Sequence, residues 1–239
     1  MSTTLPSSER PISIDGPRLP AVILFDVNET LSDMSPMAMR FADVGAPPTW
    51  PTTGSPPSYE TGLRSLPQAA PHHLPGSASA YCVQAWTACP SPAALTTRTN
   101  TSRGGFNEFP VHKNVRYGIP ALGVLDTRLV TFSNGAAIVA LRLLERARLG
   151  EYFERALSVE DAGVWKPAPG AYTYAAQQCN VEPIDMMLAA VHPGDIDGAN
   201  RAGLGTAWIN RTGATYPDYF TAPTIEATSV LHPAPLLSQ

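Results

Sequence analysis

The amino-acid sequence predicts an α/β fold built on a doubly wound parallel sheet. Strand and helix signals alternate from about Phe106 to Thr212, and repeated βα units of this kind imply parallel strands. A separate apolar run, Ala21 to Phe25, predicts another strand that is covered on both faces. The residues between these two parts have a different composition, so we expect an α/β core with an insert.

The elements of the alternating part follow from local patterns of apolar residues. In chain order they are a strand over 128–133, a helix over 136–149, a strand over 156–159, a helix over 169–178, a strand over 187–191, a helix over 196–202 and a final strand over 206–209. Pro169 lies near the start of the second helix, and Gly203 directly follows the third, as is typical of helix boundaries.

Bulk composition argues against several classes of function. The hydrophobic fraction of 44% is that of a globular protein, while the net charge of -4 without a basic cluster argues against a nucleic-acid partner. The 3 cysteines are widely spaced and indicate neither a disulfide framework nor a zinc site. Residues 1–20 are polar and lack the apolar core of a signal peptide, and no apolar run approaches membrane-spanning length. We expect a disordered lead into a cytoplasmic protein that has no membrane partner.

Asp26 is the first candidate for chemistry because it directly follows the apolar strand 21–25. In open α/β sheets, ligands bind at the carboxyl ends of the strands. A carboxylate there is a candidate nucleophile, although an Asp at this position can also cap the next helix.

Similar polar positions recur at the other predicted strand ends: Asp26 with Thr30, Ser133 with Asn134, Lys166, and Asp195 with Asp197. In this order they resemble the four motifs of the haloacid dehalogenase superfamily, namely a nucleophilic Asp, a Ser or Thr, a Lys and an acidic loop. The resemblance covers about residues 21–44 and 106–219, and it implies that superfamily's Rossmannoid core. Taken singly, each position also fits a helix cap, a turn or a solvated lysine.

Within the superfamily, the details look like the type II 2-haloacid dehalogenases. The phosphatase branch places a second Asp two residues after the nucleophile, where this chain has Asn28, and Asn28 cannot donate a carboxyl proton. Ala190 stands where a magnesium ligand is expected, which favours chemistry without a metal or other cofactor. Tyr172 follows Lys166 by six residues, as in the dehalogenases, whereas His192 replaces an Asn of their fourth motif.

The resemblance implies hydrolysis of small 2-haloacids to 2-hydroxyacids through an ester on Asp26. Asp26 would attack C2 and expel halide, and Lys166 would keep the carboxylate ionised. Thr30 and Ser133, with backbone amides near Asn134, would orient Asp26 or bind the substrate carboxylate.

A second half-reaction would follow, in which water hydrolyses the ester and Asp195 acts as base or orienter. Tyr172 would bound the substrate pocket, with Asn28 and His192 as further binding candidates. A homodimer is common in the resembling family.

Residues 45–105 have the length of the family's helical cap but are rich in Pro, Ser and Thr, without a sustained period. One interpretation is a reading-frame excursion. With GC-rich codons, residues 54–74 read from each third base can encode an apolar, helix-compatible segment with an Arg. That Arg would straddle the codons of Tyr59 and Glu60, so this chain lacks it there. A divergent Pro-rich insert is the other interpretation.

The expected organisation is a lead (1–20), an α/β hydrolase core (21–44 and 106–225), a cap insert (45–105) and a C-terminal tail (226–239). Two alternatives to the dehalogenase stay open. One is a phosphatase of the same superfamily that uses Mg²⁺, and the other is a catalytically impaired product with a misframed cap.

Overall fold

The computed structural model describes residues 19–36 and 109–230. Their centre is a six-stranded parallel sheet with the order β3-β2-β1-β4-β5-β6. The strands are β1 (Val22–Phe25), β2 (Arg128–Ser133), β3 (Phe153–Ser158), β4 (Met186–Ala190), β5 (Gly205–Ile209) and β6 (Ile225–Ala227). The predicted doubly wound α/β fold is confirmed.

Five α-helices and two short 3₁₀ turns connect these strands in the described part of the chain. The helices are α1 (Val115–Leu122), α2 (Ala137–Ala147), α3 (Val159–Ala162), α4 (Pro169–Cys179) and α5 (Pro193–Arg201), and the 3₁₀ turns are Gly150–Tyr152 and Pro183–Asp185. In α4 and α5 a proline occupies the first turn, where its missing N–H costs no helical hydrogen bond.

Apolar side chains cover both faces of the sheet, as the unbroken apolar run of β1 requires. Val22 and Leu24 belong to a core cluster that includes Ala171 of α4 and Ile196 of α5. Ile23, Phe25 and their neighbours pack on the opposite face, against buried residues of α1 and α2. The four residues of β1 are at most 2% exposed. A strand buried on both faces cannot alternate apolar and polar residues.

The strand order reverses direction between β1 and β4. From β1 the chain builds outward through β2 to β3, and it then crosses back to place β4 on the other side of β1. Loops that leave the carboxyl ends of β1 and β4 therefore diverge and leave a crevice, which is where open α/β sheets bind ligands.

Several element boundaries differ from the predicted ones. The strand predicted over 156–159 begins earlier, at Phe153, and ends before Val159, which opens α3. The prediction started too late because the exposed edge residues Glu154 and Arg155 break the apolar pattern. The helix predicted from Ile196 begins at Pro193, so that Asp195 lies in its first turn.

Three helices and strands were not predicted, namely α1, α3 and β6. The strand over 206–209 is not the last one, since β6 pairs with it in parallel. Residues 225–227 of β6 extend across the predicted core boundary at 225, and Val230 beyond them is fully buried. Strand β6 has only three residues, which are too few to show a period of two in the sequence.

The segment around residue 32 is tied to the segment around residue 111 by a short antiparallel contact. Ser32 and Val111 form a β-bridge, the Asp33 amide donates to Pro110 O at 2.7 Å, and the His112 amide donates to Leu31 O at 3.0 Å. The predicted insert (45–105), its proposed frame excursion, most of the lead and residues 231–239 lie outside the described residues. Among the helices of residues 19–36 and 109–230, none is long and apolar enough to cross a bilayer.

Gly198 in α5 allows a close helix contact that a side chain would block. A Cβ built there would lie 2.6 Å from Pro167 Cβ, 2.7 Å from Pro167 O and 2.8 Å from Tyr172 Oη. Gly198→Ala should therefore lower the free energy of unfolding by about 1–3 kcal/mol, the usual cost of overpacking. Urea denaturation measures this change. Gly150→Ala is the matched control, because a Cβ added at that position meets nothing within 4 Å; equal stability of the two variants would contradict the prediction.

Candidate active site

Asp26 lies directly after β1 in the crevice, and both of its carboxylate oxygens accept hydrogen bonds. Lys166 Nζ donates to Oδ1 at 3.0 Å, and Thr30 Oγ1 donates to Oδ2 at 2.8 Å. The residue is 5% exposed, and its amide donates to Ala189 O of β4 at 3.1 Å. Asp26 is thus held at the end of the central strands in one orientation.

The Lys166 ammonium also pairs with a second carboxylate, that of Asp195. Its Nζ lies 2.6 Å from Asp195 Oδ2, and 2% of the Lys166 side chain is exposed. Burial disfavours the ammonium, but Asp195 and Asp26 together outweigh it and raise the pKa of Lys166 above its ordinary value. The ring of Phe132, 5.4 Å away, adds a cation–π contact. Lys166 is therefore a buried, charged link between the two carboxylates.

Tyr172 is fully buried beneath this ion pair. Its Oη lies 2.5 Å from Asp195 Oδ1 and 3.1 Å from the Asp195 backbone oxygen. Burial, followed by the charge of Asp195, raises the pKa of Tyr172 well above its ordinary value, so the phenol stays neutral and donates its proton. Tyr172 was predicted to bound the substrate pocket. That role stays a prediction, and the structure shows the phenol buried in the core with its hydroxyl on Asp195.

Thr30 acts on Asp26 from the loop that follows β1. Its hydroxyl donates to Asp26 and accepts the Val191 amide at 3.1 Å, which fixes the direction of the hydroxyl proton. Thr30 is fully buried. Of the two roles predicted for it, orientation of Asp26 agrees with this geometry.

Ser133 is the last residue of β2, and Asn134 directly follows it at the same edge of the sheet. The Asn134 side chain accepts the Lys166 amide at 3.0 Å and donates to Lys166 O at 3.2 Å. Its amide group therefore holds the backbone that carries the ammonium. Ser133 is 3% exposed, and its Oγ accepts the Gly135 amide at 2.9 Å.

The acid–base pair of Glu29 and His192 was not recognised from the sequence. His192 Nε2 lies 3.3 Å from Glu29 Oε2, and about a quarter of each side chain is exposed. The pKa of Glu29 is raised above its ordinary value, chiefly by burial. His192 opposes this shift, and the charge of Asp26 adds to it. The available signal was the position of Glu29 inside the predicted nucleophile loop, next to Thr30.

Two predicted residues stand apart from this network. Asn28 is half-buried in the loop after β1. Asp197, the second acid of the predicted acidic loop, accepts Arg201 Nε at 3.0 Å and the Thr221 amide at 3.0 Å, so it anchors surrounding structure. The predicted site residues whose side chains hydrogen-bond to one another are Asp26, Thr30, Lys166, Tyr172 and Asp195.

The donor set in the described residues does not suit a divalent cation. No three His, Cys, Asp or Glu side chains within 19–36 and 109–230 converge to hold one. Ala190 is fully buried at the end of β4 and offers no side-chain oxygen, and the two paired carboxylates share an ammonium.

Removal of the Lys166 charge should destabilise the fold, because it leaves two buried carboxylates unpaired. Lys166→Met is expected to lower the free energy of unfolding at pH 7 by about 3–5 kcal/mol. An unpaired buried carboxylate takes up a proton more readily than one in the unfolded chain, so the variant should regain stability as the pH falls toward about 5. Urea denaturation at both pH values measures this, with the exposed Lys113→Met as control. A pH-independent loss would contradict the prediction.

No protein-family model matches the chain. In sequence it is similar to haloacetate dehalogenase H-2 of Moraxella sp. (strain B), with 29% identity over 119 residues, or 47% of this chain and 53% of the relative. It is also similar to (S)-2-haloacid dehalogenase of Pseudomonas sp. (strain YL), with 30% identity over 103 residues, or 43% of this chain and 44% of the relative. A third relative, pyrimidine 5'-nucleotidase YjjG of Escherichia coli (strain K12), is 27% identical over 143 residues, or 56% and 63%. The chain spans about half the length of the two dehalogenases.

Solved structures extend the similarity to the whole fold. The L-2-haloacid dehalogenase RSc1362 superposes with a TM-score of 0.75 at 19% identity, covering 92% of this chain and 100% of that one. The L-2-haloacid dehalogenase of Xanthobacter autotrophicus gives a TM-score of 0.68 at 18% identity, with coverage of 92% and 99%. The chain has the α/β fold of the haloacid dehalogenases, and the resemblance predicted from its four motifs is confirmed.

Proposed function

We propose that the chain hydrolyses small 2-haloacids to 2-hydroxyacids through an ester on Asp26, without a cofactor. The observation that carries the proposal is the buried Asp26–Lys166–Asp195 network at the carboxyl end of the central strands. The two dehalogenases with matching sequences and the two with matching folds support it. The substrate is a small molecule that enters the crevice beside β1 and β4.

In the first half-reaction an Asp26 oxygen attacks C2 of the haloacid, and the halide leaves with the bonding electron pair. A carboxylate is a weak nucleophile in water, so the burial of Asp26 and its orientation by Lys166 and Thr30 are the main contribution of the protein. Halide departs as an anion and needs no proton. Asn28, which cannot supply a carboxyl proton, is therefore compatible with this step.

In the second half-reaction water attacks the acyl carbon of the Asp26 ester. Both oxygens of Asp195 already accept hydrogen bonds, from Lys166 and Tyr172, which favours its predicted role as orienter over that of base. The Glu29–His192 pair is the acid–base group beside the nucleophile loop. We assign His192 as the base, which takes a proton from water as the water oxygen bonds to the acyl carbon. His192 returns this proton to the product oxygen as the bond between that oxygen and the acyl carbon breaks, and Asp26 releases the remaining proton to solvent.

A phosphatase of the same superfamily is the second candidate, favoured by the similarity to pyrimidine 5'-nucleotidase YjjG. Asn28 and Ala190 argue against it, since they stand where that chemistry needs a proton donor and a magnesium ligand. A catalytically impaired product is the third candidate. This candidate is based on the composition of residues 45–105, which lie outside the described residues.

Chloride release from 2-chloropropionate tests the proposed reaction. We expect release that is unaffected by a metal chelator, and a loss on the order of 10³-fold or more in Asp26→Asn, which lacks the nucleophile. Asp126→Asn, which makes the same change at an exposed loop position, is the control. Magnesium-dependent hydrolysis of a phosphate ester would instead support the second candidate, and absence of both activities the third. Full activity of Asp26→Asn would rule out the ester mechanism.

His192→Gln should separate the two half-reactions. Without the base, the ester should form normally but hydrolyse about 10²-fold or more slowly, so that chloride appears as a burst of one equivalent per site. Mass spectrometry of the peptide with Asp26 should then show the added propionate unit. Rapid steady turnover without a trapped ester would exclude His192 as the base and return that role to Asp195.

A further inference from the structure

The backbone carbonyl of Glu29 is a junction between three parts of the fold. His112 Nε2 is 2.9 Å from this oxygen, and Arg211 Nη1 donates to it at 3.0 Å. Arg211 Nη2 donates to the next carbonyl, that of Thr30, at 2.7 Å. His112 precedes α1 and Arg211 follows β5. Two segments that are distant in sequence therefore bind the loop that follows β1.

The loop needs such support because Glu29 has a φ of 60°. A non-glycine residue is disfavoured in this left-handed conformation and persists in it only where its surroundings hold it. The neighbouring residues depend on it: Thr30 donates to Asp26, while the Glu29 side chain contacts His192. A relaxed Glu29 would redirect both side chains at once.

The position of the Arg211 guanidinium costs free energy, because burial removes water from a charged group. Burial lowers the pKa of this guanidinium to about 10, so the group is still charged at neutral pH. Its Nε atom is buried without a hydrogen-bond partner among the described residues. The guanidinium spans two consecutive carbonyls, which a planar fork does and a single ammonium does not. A half-buried charge that donates to two loop carbonyls indicates that the geometry of this loop matters.

We propose that Arg211 is a positioning residue of the active site, which holds Glu29 in the left-handed conformation and thereby aims Thr30 at Asp26 and Glu29 at His192. His112 supports the same carbonyl from the other side. The assignment rests on the proposed function for its kinetic consequence, but not for its structural one.

The kinetic test is the rate of chloride release in a single turnover, with enzyme in excess over 2-chloropropionate. This first-turnover release, the chloride burst, reports attack by Asp26 and does not require the Glu29–His192 base. Arg211→Met should slow the burst about 10-fold or more, since small displacements of a reacting group have effects of this size. Arg211→Lys, which reaches one carbonyl, should fall between wild type and Arg211→Met. Arg142→Met, at an exposed position of α2, is the matched control and should leave the rate unchanged.

The same Arg211 substitution, made in a chain that also carries Glu29→Gly, shows whether Arg211 acts through residue 29. Glycine adopts positive φ at no steric cost, so Glu29→Gly removes the need to hold that conformation. In this background Arg211→Met should slow the burst several-fold less than it does in the wild-type chain. An equal slowing in both backgrounds would overturn the proposal, as would an unchanged burst in Arg211→Met.

Amide hydrogen exchange tests the structural part even in a chain that releases no chloride. The amides of Leu31 and Ser32 both donate to Val27 O within the loop, at 3.0 and 2.9 Å. Arg211→Met should accelerate their exchange about 10-fold or more relative to the amide of Leu188 in β4. No chloride from wild type, with faster exchange in the variant, would refute the proposed function alone. Unchanged exchange would refute the positioning role.

Discussion

The Lys166 ammonium lies between two buried carboxylates, and most of the active-site geometry depends on that arrangement. Each of the four carboxylate oxygens of Asp26 and Asp195 accepts one donor: two from the ammonium and one each from Thr30 and Tyr172. Buried charges of this kind are tolerated only when they are paired and hydrogen-bonded. The requirement ties the ends of β1 and β4 to the loop before α4, and it fixes Asp26 in one rotamer.

The residues around this ion pair hold Lys166 and Asp195 in fixed orientations. Asn134 holds the backbone of Lys166, and Tyr172 holds Asp195 from beneath. Gly198 leaves the space in which Tyr172 and Pro167 meet α5. Such a site is preorganised, because its supporting side chains are locked by packing and need not move when charge develops.

The loop after β1 combines two tasks within five residues. It carries the proposed nucleophile, Asp26, and through Glu29 it reaches the acid–base pair with His192. A compact turn with a left-handed residue brings both side chains toward the crevice, at the cost of a strained backbone. The half-buried guanidinium of Arg211 donates to two carbonyls of this loop, and we propose that this contact offsets the strain. One loop thus carries the proposed nucleophile and contacts the proposed base, His192.

The sequence by itself determined the fold class, the position of Asp26 and the ordered set with Thr30, Ser133, Lys166 and Asp195. These features are local, since an apolar run of four residues predicts a buried strand and a polar residue directly after it marks the strand end. The edge strand β3 was predicted too short, and β6 was missed, because exposed or very short strands carry little apolar pattern. The tertiary structure alone decided that Tyr172 lies in the core and that Asn134 binds backbone. It likewise decided that Glu29, His192, His112 and Arg211 meet, because contacts between residues more than 80 positions apart depend on how the strands are ordered in the sheet, and spacing along the chain does not contain that order.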